Sequence, residues 1–280
     1  MQKIPIGTWV QEGINLIIDL TESQFRTFSD KLNDLIGNIL DLLEIIHPYL
    51  LISILVIISY IFKRNLKTAI LIAIGTFLIQ NLGYWRESLE TVTLVIFATT
   101  ISAIVGIPIG ILCAHRPYVY ALVRPLLDLM QTIPTFVYLI PTLMLFGLGM
   151  APGLFSTIIF AMPATIRLTY LGLSKVPHSL MEVADSFGAS RWTRLWTVEI
   201  PFAKSSILTG VSQCVMLSLS MVVIAALVGA EGLGKPVVQA LNTVNIVKGF
   251  ESGLAIVIIA ILLDRVLSIS EKNQVNSYEK

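Results

Sequence analysis

Long apolar segments with almost no charged residues dominate this chain of 280 residues. Seven segments are each near the ~20 apolar residues that a helix needs to cross a bilayer. They span residues 48–62, 68–84, 89–114, 126–148, 152–174, 206–230 and 252–269. Only 13% of the residues are charged, whereas soluble domains carry about 25%. The sequence therefore predicts an all-α, polytopic membrane protein with about seven transmembrane helices.

Basic residues are distributed unequally over the loops between these segments. With seven spans, the loops on one side of the membrane hold more Lys and Arg residues than those on the other. The richer side holds Lys63, Arg64, Lys67, Arg116, Arg124, Lys175, Arg191, Arg194, Lys204, Lys272 and Lys280, and the poorer side holds Lys3, Arg26, Lys31, Arg86, Lys235 and Lys248. Because basic loops stay in the cytoplasm, we expect an extracytoplasmic N-terminus and a cytoplasmic C-terminus.

Residues 1–47 differ from the rest of the chain because their charged side chains are mainly acidic. From Phe25 to Ile46 the apolar residues recur at spacings of three and four, which predicts one amphipathic helix. Thr21, with Gln24 three residues later, predicts the N-terminal cap of this helix. An amphipathic helix lies on a membrane surface or on protein rather than spanning. The acidic face favours docking against the rest of the protein.

Helix-breaking residues cluster in the third, fourth and fifth segments: Gly106, Pro108, Gly110, Pro134, Pro141 and Pro163. Such residues are tolerated in membrane helices where neighbouring helices or a water-filled cavity satisfy the freed carbonyls. They predict a translocation path built from interrupted helices. Plain helix contact through the spacing Gly106-xxx-Gly110 is the alternative. Gln131 and Thr132, beside Pro134, are candidates to line the path.

Four charged residues lie within the predicted spans: Asp128, Arg167, Asp264 and Arg265. On the predicted topology, all four fall in the cytoplasmic third of the membrane. Charges inside a bilayer tend to be paired. We expect Arg167 to pair with Asp128 or Asp264 and so to brace this half of the helix bundle. Alternatively, each side chain extends separately to the membrane surface.

A polar loop at residues 175–204 separates the fifth and sixth segments. Ser179, with Glu182 three residues later, predicts a capped helix start. Gly188 suits a helix end that requires a left-handed residue, and a second short helix is expected from Ser190. The loop is therefore predicted to be a rigid helix–turn–helix protrusion that is suited to contacting a soluble partner.

The spacing inside this loop resembles the EAA loop of ABC importer permeases. The family pattern is Glu-Ala-Ala, three residues, Gly, nine residues and Ile-x-Leu-Pro. Five positions carry the pattern here: Glu182, Ala184, Gly188 and Pro201 are identical to it, and Ile200 stands in place of Leu. Val183 and Val198 are further conservative departures. The resemblance implies that the loop docks into a groove on a cytosolic ABC ATPase subunit. It also implies that the five matching residues couple the two subunits.

The flanking segments, over about residues 80–268, look like the permease subunit of glycine betaine/proline betaine importers. The similarity is carried by Arg124-PLLDLMQTIPTFVYLIPTLMLFGLG-Met150, Thr157-IIFAMPATIRLTYLG-Leu173 and Leu217-SLSMVVIAALVGAEGLG-Lys235. This resemblance implies a type I ABC importer permease fold in the bacterial inner membrane. It implies a second, identical permease copy and an extracytoplasmic substrate-binding protein as partners. ATP and Mg²⁺ would be used by the ATPase subunit, and this chain would bind no cofactor.

Three alternative functions are compared with this prediction: another ABC permease, a secondary transporter and an intramembrane enzyme. An ABC permease for choline or an amino acid would share the coupling loop, whereas an ATP-independent secondary transporter would need no such loop. An intramembrane enzyme is disfavoured because the sequence contains no Ser–His–Asp arrangement, His-Glu-x-x-His motif or Gly-Lys-Ser/Thr phosphate loop. The net charge of +1 argues against nucleic acid as a partner.

The expected organisation has three parts. Residues 1–47 form an extracytoplasmic amphipathic scaffold helix. Residues 48–270 form the transmembrane permease domain in the lipid bilayer, with the coupling loop at 175–205. Residues 271–280 form a cytoplasmic tail. The segment from Gly229 to Gly234 is expected to be a tight extracytoplasmic turn, since it follows a span and not a strand.

Overall fold

The computed structural model describes residues 6–63 and 66–267, and its regular elements in these ranges are all helices. The α-helices are α1 (Ile6–Ile45), α2 (Pro48–Lys63), α3 (Leu66–Asn81), α4 (Trp85–His115), α5 (Pro117–Thr132), α6 (Leu139–Phe146), α7 (Met150–Ser174), α8 (His178–Ser186), α9 (Arg191–Arg194), α10 (Ile200–Ala225), α11 (Gly234–Thr243) and α12 (Ile246–Leu267). The predicted tail at 271–280 lies outside the described residues, as do Arg64 and the last two residues of the predicted seventh span. The all-α fold agrees with the prediction.

The core of the molecule is the packing of α7 between α4 and α10. Leu94 of α4, Leu154 of α7 and Leu219 of α10 are buried together in one apolar cluster. Glycines bring the helices close, as expected for membrane helices that pack through small residues. A Cβ atom on Gly106 would lie 3.2 Å from Thr165 Cβ, and one on Gly110 would lie 2.6 Å from Thr169 Cβ. These two glycines are therefore helix contacts.

Several of the predicted helix interruptions are absent. Helix α4 continues through Pro108 and α7 continues through Pro163. A proline removes only one helical N–H donor, and the packing of α7 on both α4 and α10 holds these helices in place. Pro141 lies in the first turn of α6, where backbone N–H groups have no partner within the helix. The prediction of breaks at these prolines was wrong.

The break at Pro134 is present. Helices α5 and α6 are bent by 105° at this point, through a short 3₁₀ turn at Thr135–Tyr138. Ile133 is extended, with φ −66° and ψ 131°, as expected for a residue before proline. Helix α5 begins at Pro117 and not at residue 126, because proline suits a first helical position. Arg124, which was assigned to a loop, is therefore helical.

Fewer helices than predicted are long and apolar enough to span a membrane. Among the described residues, four single helices qualify: α4, α7, the continuous helix Arg191–Val228 that contains α10, and α12. Counting the bent pair α5–α6 and the bent pair formed by Ser23–Ile45 and Pro48–Ile54 raises the number to six. The predicted span that this count leaves out is α3, which has only 16 residues.

Helix α1 starts much earlier than predicted, at Ile6. Thr21 and Gln24 lie inside it, so the predicted cap is wrong. Nothing between Ile6 and Gln24 is a proline, and Thr and Gln are tolerated inside helices. The predicted docking of this helix on the protein is present, because Ile36 is buried in the core cluster. The rings of Phe25 and Phe146 also meet edge to face at 5.3 Å.

Helix α4 defines two ends of the molecule. Its 31 residues extend about 46 Å at 1.5 Å per residue. At its start, Arg86 Nε lies 3.2 Å from Glu44 Oε1 of α1. At its finish, His115 Nε2 lies 2.7 Å from Glu199 Oε2, next to the coupling loop. We call these the α1 end and the loop end.

The turn from Gly229 to Gly234 lies at the α1 end. Gly229 and Gly232 have φ of +85° and +120°, and the backbone N–H of Leu233 donates to Thr91 Oγ1 at 2.9 Å. It is a tight turn, as predicted. Helix α11, which follows it, was missed, because its ten residues are too few and too polar to stand out as a span.

Candidate functional site

Helix α8 of the coupling loop ends as the sequence predicts. Gly188 has φ +72°, a left-handed conformation that only glycine adopts without strain. Its N–H donates to the Asp185 carbonyl at 2.9 Å, and the Ala189 N–H donates to the Ala184 carbonyl at 3.1 Å. These two bonds form a Schellman motif. The motif turns the chain sharply out of α8 and toward α9.

The predicted capping box at the start of α8 is not formed. Pro177 is the capping residue, so Ser179 already lies inside the first turn and cannot occupy the cap position. The side chain of Glu182 is free to point outward, where its Oε1 lies 3.3 Å from His178 Nδ1. Glu182 is therefore an exposed acidic residue on the surface of the loop.

Helix α9 begins where the sequence predicts. The Oγ atom of Ser190 accepts a hydrogen bond from the Thr193 N–H at 3.2 Å, a standard N-cap. The helix then runs through a π-helical turn at Leu195–Glu199 directly into α10. Pro201, in the first turn of α10, cannot donate to the carbonyl of Thr197 inside the π-helical turn. The second half of the loop is thus continuous with a core helix.

Several large apolar side chains of the coupling loop are exposed. Phe187 is 87% exposed and Trp192 is 70% exposed. The apolar loop surface consists of Leu180, Val183, Phe187, Trp192 and Trp196, all of them exposed. Several large exposed apolar side chains on one loop are typical of a surface that contacts a partner.

The five predicted coupling residues have different surroundings. Glu182, Gly188 and Pro201 are exposed, and Ile200 is half-buried. Ala184 is only 9% exposed, so its methyl group packs inside the loop. A small residue at this position lets α8 lie against α9 and the π-helical turn, which α8 contacts. Its part in coupling would be to seat α8, whereas the exposed positions are available to a partner.

A network of charged side chains fastens the loop to the helix bundle. Arg194 Nη1 donates to both carboxylate oxygens of Asp185, at 2.9 and 3.0 Å. Its Nε donates to Glu199 Oε1 at 3.1 Å, and Glu199 Oε2 contacts His115. Sequence analysis did not predict this network. Its one signal in the sequence is a carboxylate, Glu199, placed at the start of an apolar span.

An ion pair between Arg167 and Asp128 joins helices α5 and α7. Asp128 is one of the two partners that the sequence predicted for Arg167. Arg167 Nη2 donates to Asp128 Oδ1 at 2.6 Å. The rings of Tyr120 and Tyr170 stack between the same helices, with centroids 3.7 Å apart. Asp264 and Arg265 lie near the end of α12, and the partner of Arg167 is Asp128. The role of this pair in transport stays a prediction.

The three path candidates lie together at the bend between α5 and α6. Gln131, Thr132 and Pro134 are all exposed on the surface of this single chain. The bend is held by the Tyr138 hydroxyl, which donates to the Met130 carbonyl at 2.8 Å. The bend therefore presents polar side chains on the exposed surface of this chain.

A charged cavity of about 240 Å³ opens at the α1 end. Its lining comprises Tyr84, Arg86, Glu87, Glu90, Glu231, Lys235, Pro236, Gln239 and Lys248. Burial, followed by the nearby carboxylates of Glu251 and Glu87, raises the pKa of the Tyr84 hydroxyl. Tyr84 is therefore a neutral phenol at physiological pH.

Comparison with known proteins identifies the class. The family described as "Binding-protein-dependent transport system inner membrane component" matches residues 106–277, which is more than half of the chain. The chain belongs to this family of ABC importer permeases. It is a multi-pass inner-membrane protein.

Three relatives are similar over most of their length. The glycine betaine/carnitine transport permease protein GbuB of Listeria monocytogenes serotype 1/2a (strain 10403S) is 41% identical over 276 residues, which cover 96% of each chain. The glycine betaine transport system permease protein OpuAB of Bacillus subtilis (strain 168) is 46% identical, over 75% of each chain. The glycine betaine/proline betaine transport system permease protein ProW of Escherichia coli (strain K12) is 38% identical, over 94% of this chain and 74% of that protein.

A solved structure shares the fold. A chain of the MetNI methionine ABC transporter, in an inward-facing conformation, superposes with a TM-score of 0.61 at 20% identity. The superposition covers 67% of this chain and 96% of the other. At this level of identity the likeness concerns the fold, which is that of a type I ABC importer permease.

Proposed function

We propose that this chain is the permease subunit of an ATP-driven importer for glycine betaine, proline betaine or a related quaternary ammonium osmolyte. The observation that carries the proposal is the 41% identity with a glycine betaine/carnitine permease over 96% of both chains. The geometry of the coupling loop is in keeping with it, since three positions of the EAA pattern, Glu182, Gly188 and Pro201, are exposed and available to an ATPase.

The loop end faces the cytoplasm in this proposal. The basic residues of the loops and the exposed apolar loop surface support that orientation, because a cytosolic ATPase must reach the loop. The N-terminus and α1 are then extracytoplasmic, and the C-terminus is cytoplasmic. ATP and Mg²⁺ are bound by the ATPase subunit. The permease chain hydrolyses no ATP and carries no cofactor of its own.

A second, identical copy of the chain completes the transport path. The bend between α5 and α6 would face this copy, because Gln131 and Thr132 are exposed there beside apolar Phe136 and Ile140. An exposed face of this kind, within a membrane protein, suits either lipid or a partner helix. The polar atoms at the bend favour a partner and a water-filled path.

The substrate reaches the α1 end from an extracytoplasmic binding protein. Such proteins hold quaternary ammonium groups in aromatic cages, so selectivity resides mainly in that partner. Glu182, Gly188 and Pro201 contact the ATPase at the opposite end. Closure of the ATPase pair then switches the path between its two openings by rigid-body movement of packed helices.

Uptake by reconstituted proteoliposomes tests the proposal. The permease is inserted together with the ATPase and binding protein of the same transport system, and labelled glycine betaine is supplied with competing proline betaine, carnitine, choline or methionine. We expect ATP-dependent uptake that proline betaine suppresses and methionine does not. Uptake that persists without the ATPase would indicate a secondary transporter. Preferred uptake of choline would overturn the substrate but not the class of protein.

A further inference from the structure

The charged network at the loop end joins three consecutive elements of the coupling loop to α4, which is far from them in the sequence. We call it the loop latch, and it consists of Asp185, Arg194, Glu199 and His115. Asp185 belongs to α8, Arg194 to α9, Glu199 to the π-helical turn and His115 to the last turn of α4. The chain itself already connects α8 to α7 and to α10. Only the loop latch connects the described part of the loop to α4 by charged groups.

We propose that the loop latch carries displacements of α8 to α4, so that His115 and Glu199 are positioning residues for coupling. This inference rests on the proposed function, in which an ATPase moves α8. Without the latch, a displaced α8 could pivot about Gly188 while α4 stayed in place. With the latch closed, α4 and α10 are pulled together at the loop end, and both flank α7 in the core.

Burial of Glu199 makes the latch rigid. Glu199 is only 3% exposed, and a buried carboxylate without partners is strongly disfavoured. Each of its oxygens has one donor: Oε1 receives the Arg194 Nε–H and Oε2 faces His115 Nε2. Removing either donor leaves a desolvated oxygen unpaired. The carboxylate therefore favours the arrangement in which α4 and α9 are both held against it.

Both ring nitrogens of His115 have an oxygen neighbour in the structure. Its Nδ1 lies 2.9 Å from the carbonyl oxygen of Ile111, and a carbonyl can only accept, so Nδ1 carries a hydrogen. Nε2 lies 2.7 Å from Oε2 of Glu199. Each ring nitrogen therefore lies against an oxygen, one in α4 and one in the loop, which fixes the orientation of the ring between them.

Arg194 links the carboxylates of Asp185 and Glu199. Its fork of N–H groups can bond two acceptors at fixed angles, here Asp185 on one side and Glu199 on the other. A lysine has a single ammonium group on a flexible stem and would not hold both carboxylates in one geometry. Glu199 is five residues after Arg194, and the wide π-helical turn between them brings the two side chains within hydrogen-bonding distance.

Two measurements on the complete transport complex test the latch. The first is the number of ATP molecules hydrolysed for each substrate molecule taken up. The second is hydrogen exchange of the α8 backbone amides, which needs no transport. We expect His115→Leu, which keeps the volume but loses the hydrogen bond, to raise the ATP cost of uptake about fivefold or more and to speed exchange in α8. His115→Gln, whose amide can still donate to Glu199, is expected to stay within about twofold of the wild type.

A double-variant comparison separates a latch from two independent contacts. Residues that act through one link show non-additive effects. The variant that combines His115→Leu with Glu199→Leu should therefore raise the ATP cost no more than His115→Leu alone. Arg124→Gln is the matched control, because it removes one cationic side chain at an exposed position of α5, outside both the latch and the coupling loop. It should leave both measurements unchanged.

The results that would refute the latch differ from the results that would refute the proposed function. If His115→Leu and His115→Gln affect α8 exchange and uptake equally, packing and not the hydrogen bond matters, and the latch is refuted. Additive effects in the double variant refute it as well. If the wild type takes up no quaternary ammonium compound but the α8 exchange pattern holds, the latch stands and the proposed substrate fails.

Discussion

Gly188 in the coupling loop and Gly110 in the helical core are both positions that disfavour any other residue, but for different reasons. Around Gly188 there is open space, since a Cβ atom would meet no atom within 4 Å. Its constraint is the backbone φ of +72°. Gly110 has an ordinary helical backbone, but a Cβ atom there would lie 2.6 Å from Thr169 Cβ and 2.8 Å from the Ile166 carbonyl oxygen.

The two glycines therefore protect different properties. Gly110 sets how closely α4 and α7 approach, which is a property of the whole bundle. Gly188 sets the direction in which the chain leaves α8, which is local to the loop. A substitution in the core should reduce the stability of the fold. A substitution in the loop should leave the fold intact and alter contact with a partner.

The largest expected effect is that of Gly110→Ala. The added methyl group would overlap both a side chain and a backbone carbonyl of α7, and the carbonyl cannot rotate away. Overpacking of this kind typically costs about 1–3 kcal/mol. We expect a lower midpoint of thermal unfolding in detergent and a lower yield of folded protein. Gly253→Ala is the matched control, because a Cβ atom on this α12 glycine would meet nothing within 4 Å. If both variants unfold at the same temperature, close contact is not what Gly110 provides.

An intermediate effect is expected from breaking the ion pair between α5 and α7. Arg167→Ala would leave the Asp128 carboxylate without its 2.6 Å donor. The two side chains are 37% and 52% exposed, and exposure weakens an ion pair, so unfolding should occur at a modestly lower temperature. The exchanged pair, Arg167→Asp with Asp128→Arg, should restore part of the loss. Asp264→Ala serves as the control. An equal loss from Asp264→Ala, with no recovery in the exchanged pair, would contradict the pairing.

The same contrast explains which features could be predicted from the sequence. Gly188 and Ser190 act on their own neighbours, so the end of α8 and the start of α9 followed from local spacing. The bend at Pro134 was also local, because proline restricts the residue before it. By contrast, Pro108 and Pro163 were expected to break their helices. Whether a single proline breaks a helix depends on the packing of neighbouring helices, which local sequence does not reveal.

The contact that attaches the loop to α4 joins distant positions, and the sequence did not predict it. His115 and Glu199 belong to different segments, and nothing in either segment indicates that they meet. Arg167 had two possible partners, because both carboxylates lay at a similar depth in the predicted membrane. Only the packing of α5 against α7 distinguishes them. Sequence patterns thus predicted the elements of the loop, whereas its attachment to the bundle required the folded structure.

The smallest expected effect on stability, and the sharpest test of the comparison, is at Gly188. Replacing it by alanine imposes a left-handed conformation that costs an L-residue about 1–2 kcal/mol, and this strain is confined to the loop. We expect Gly188→Ala to shift the unfolding temperature less than Gly110→Ala does, but to weaken co-purification of the ATPase subunit and to raise the ATP hydrolysed per substrate.

Gly188→Asn should be milder in every respect, because asparagine adopts this conformation more readily. If Gly188→Ala and Gly188→Asn bind the ATPase and transport equally well, the direction of the chain at this turn does not govern coupling. If instead Gly188→Ala unfolds as early as Gly110→Ala, the loop is part of the folding core, and the distinction between the two regions fails.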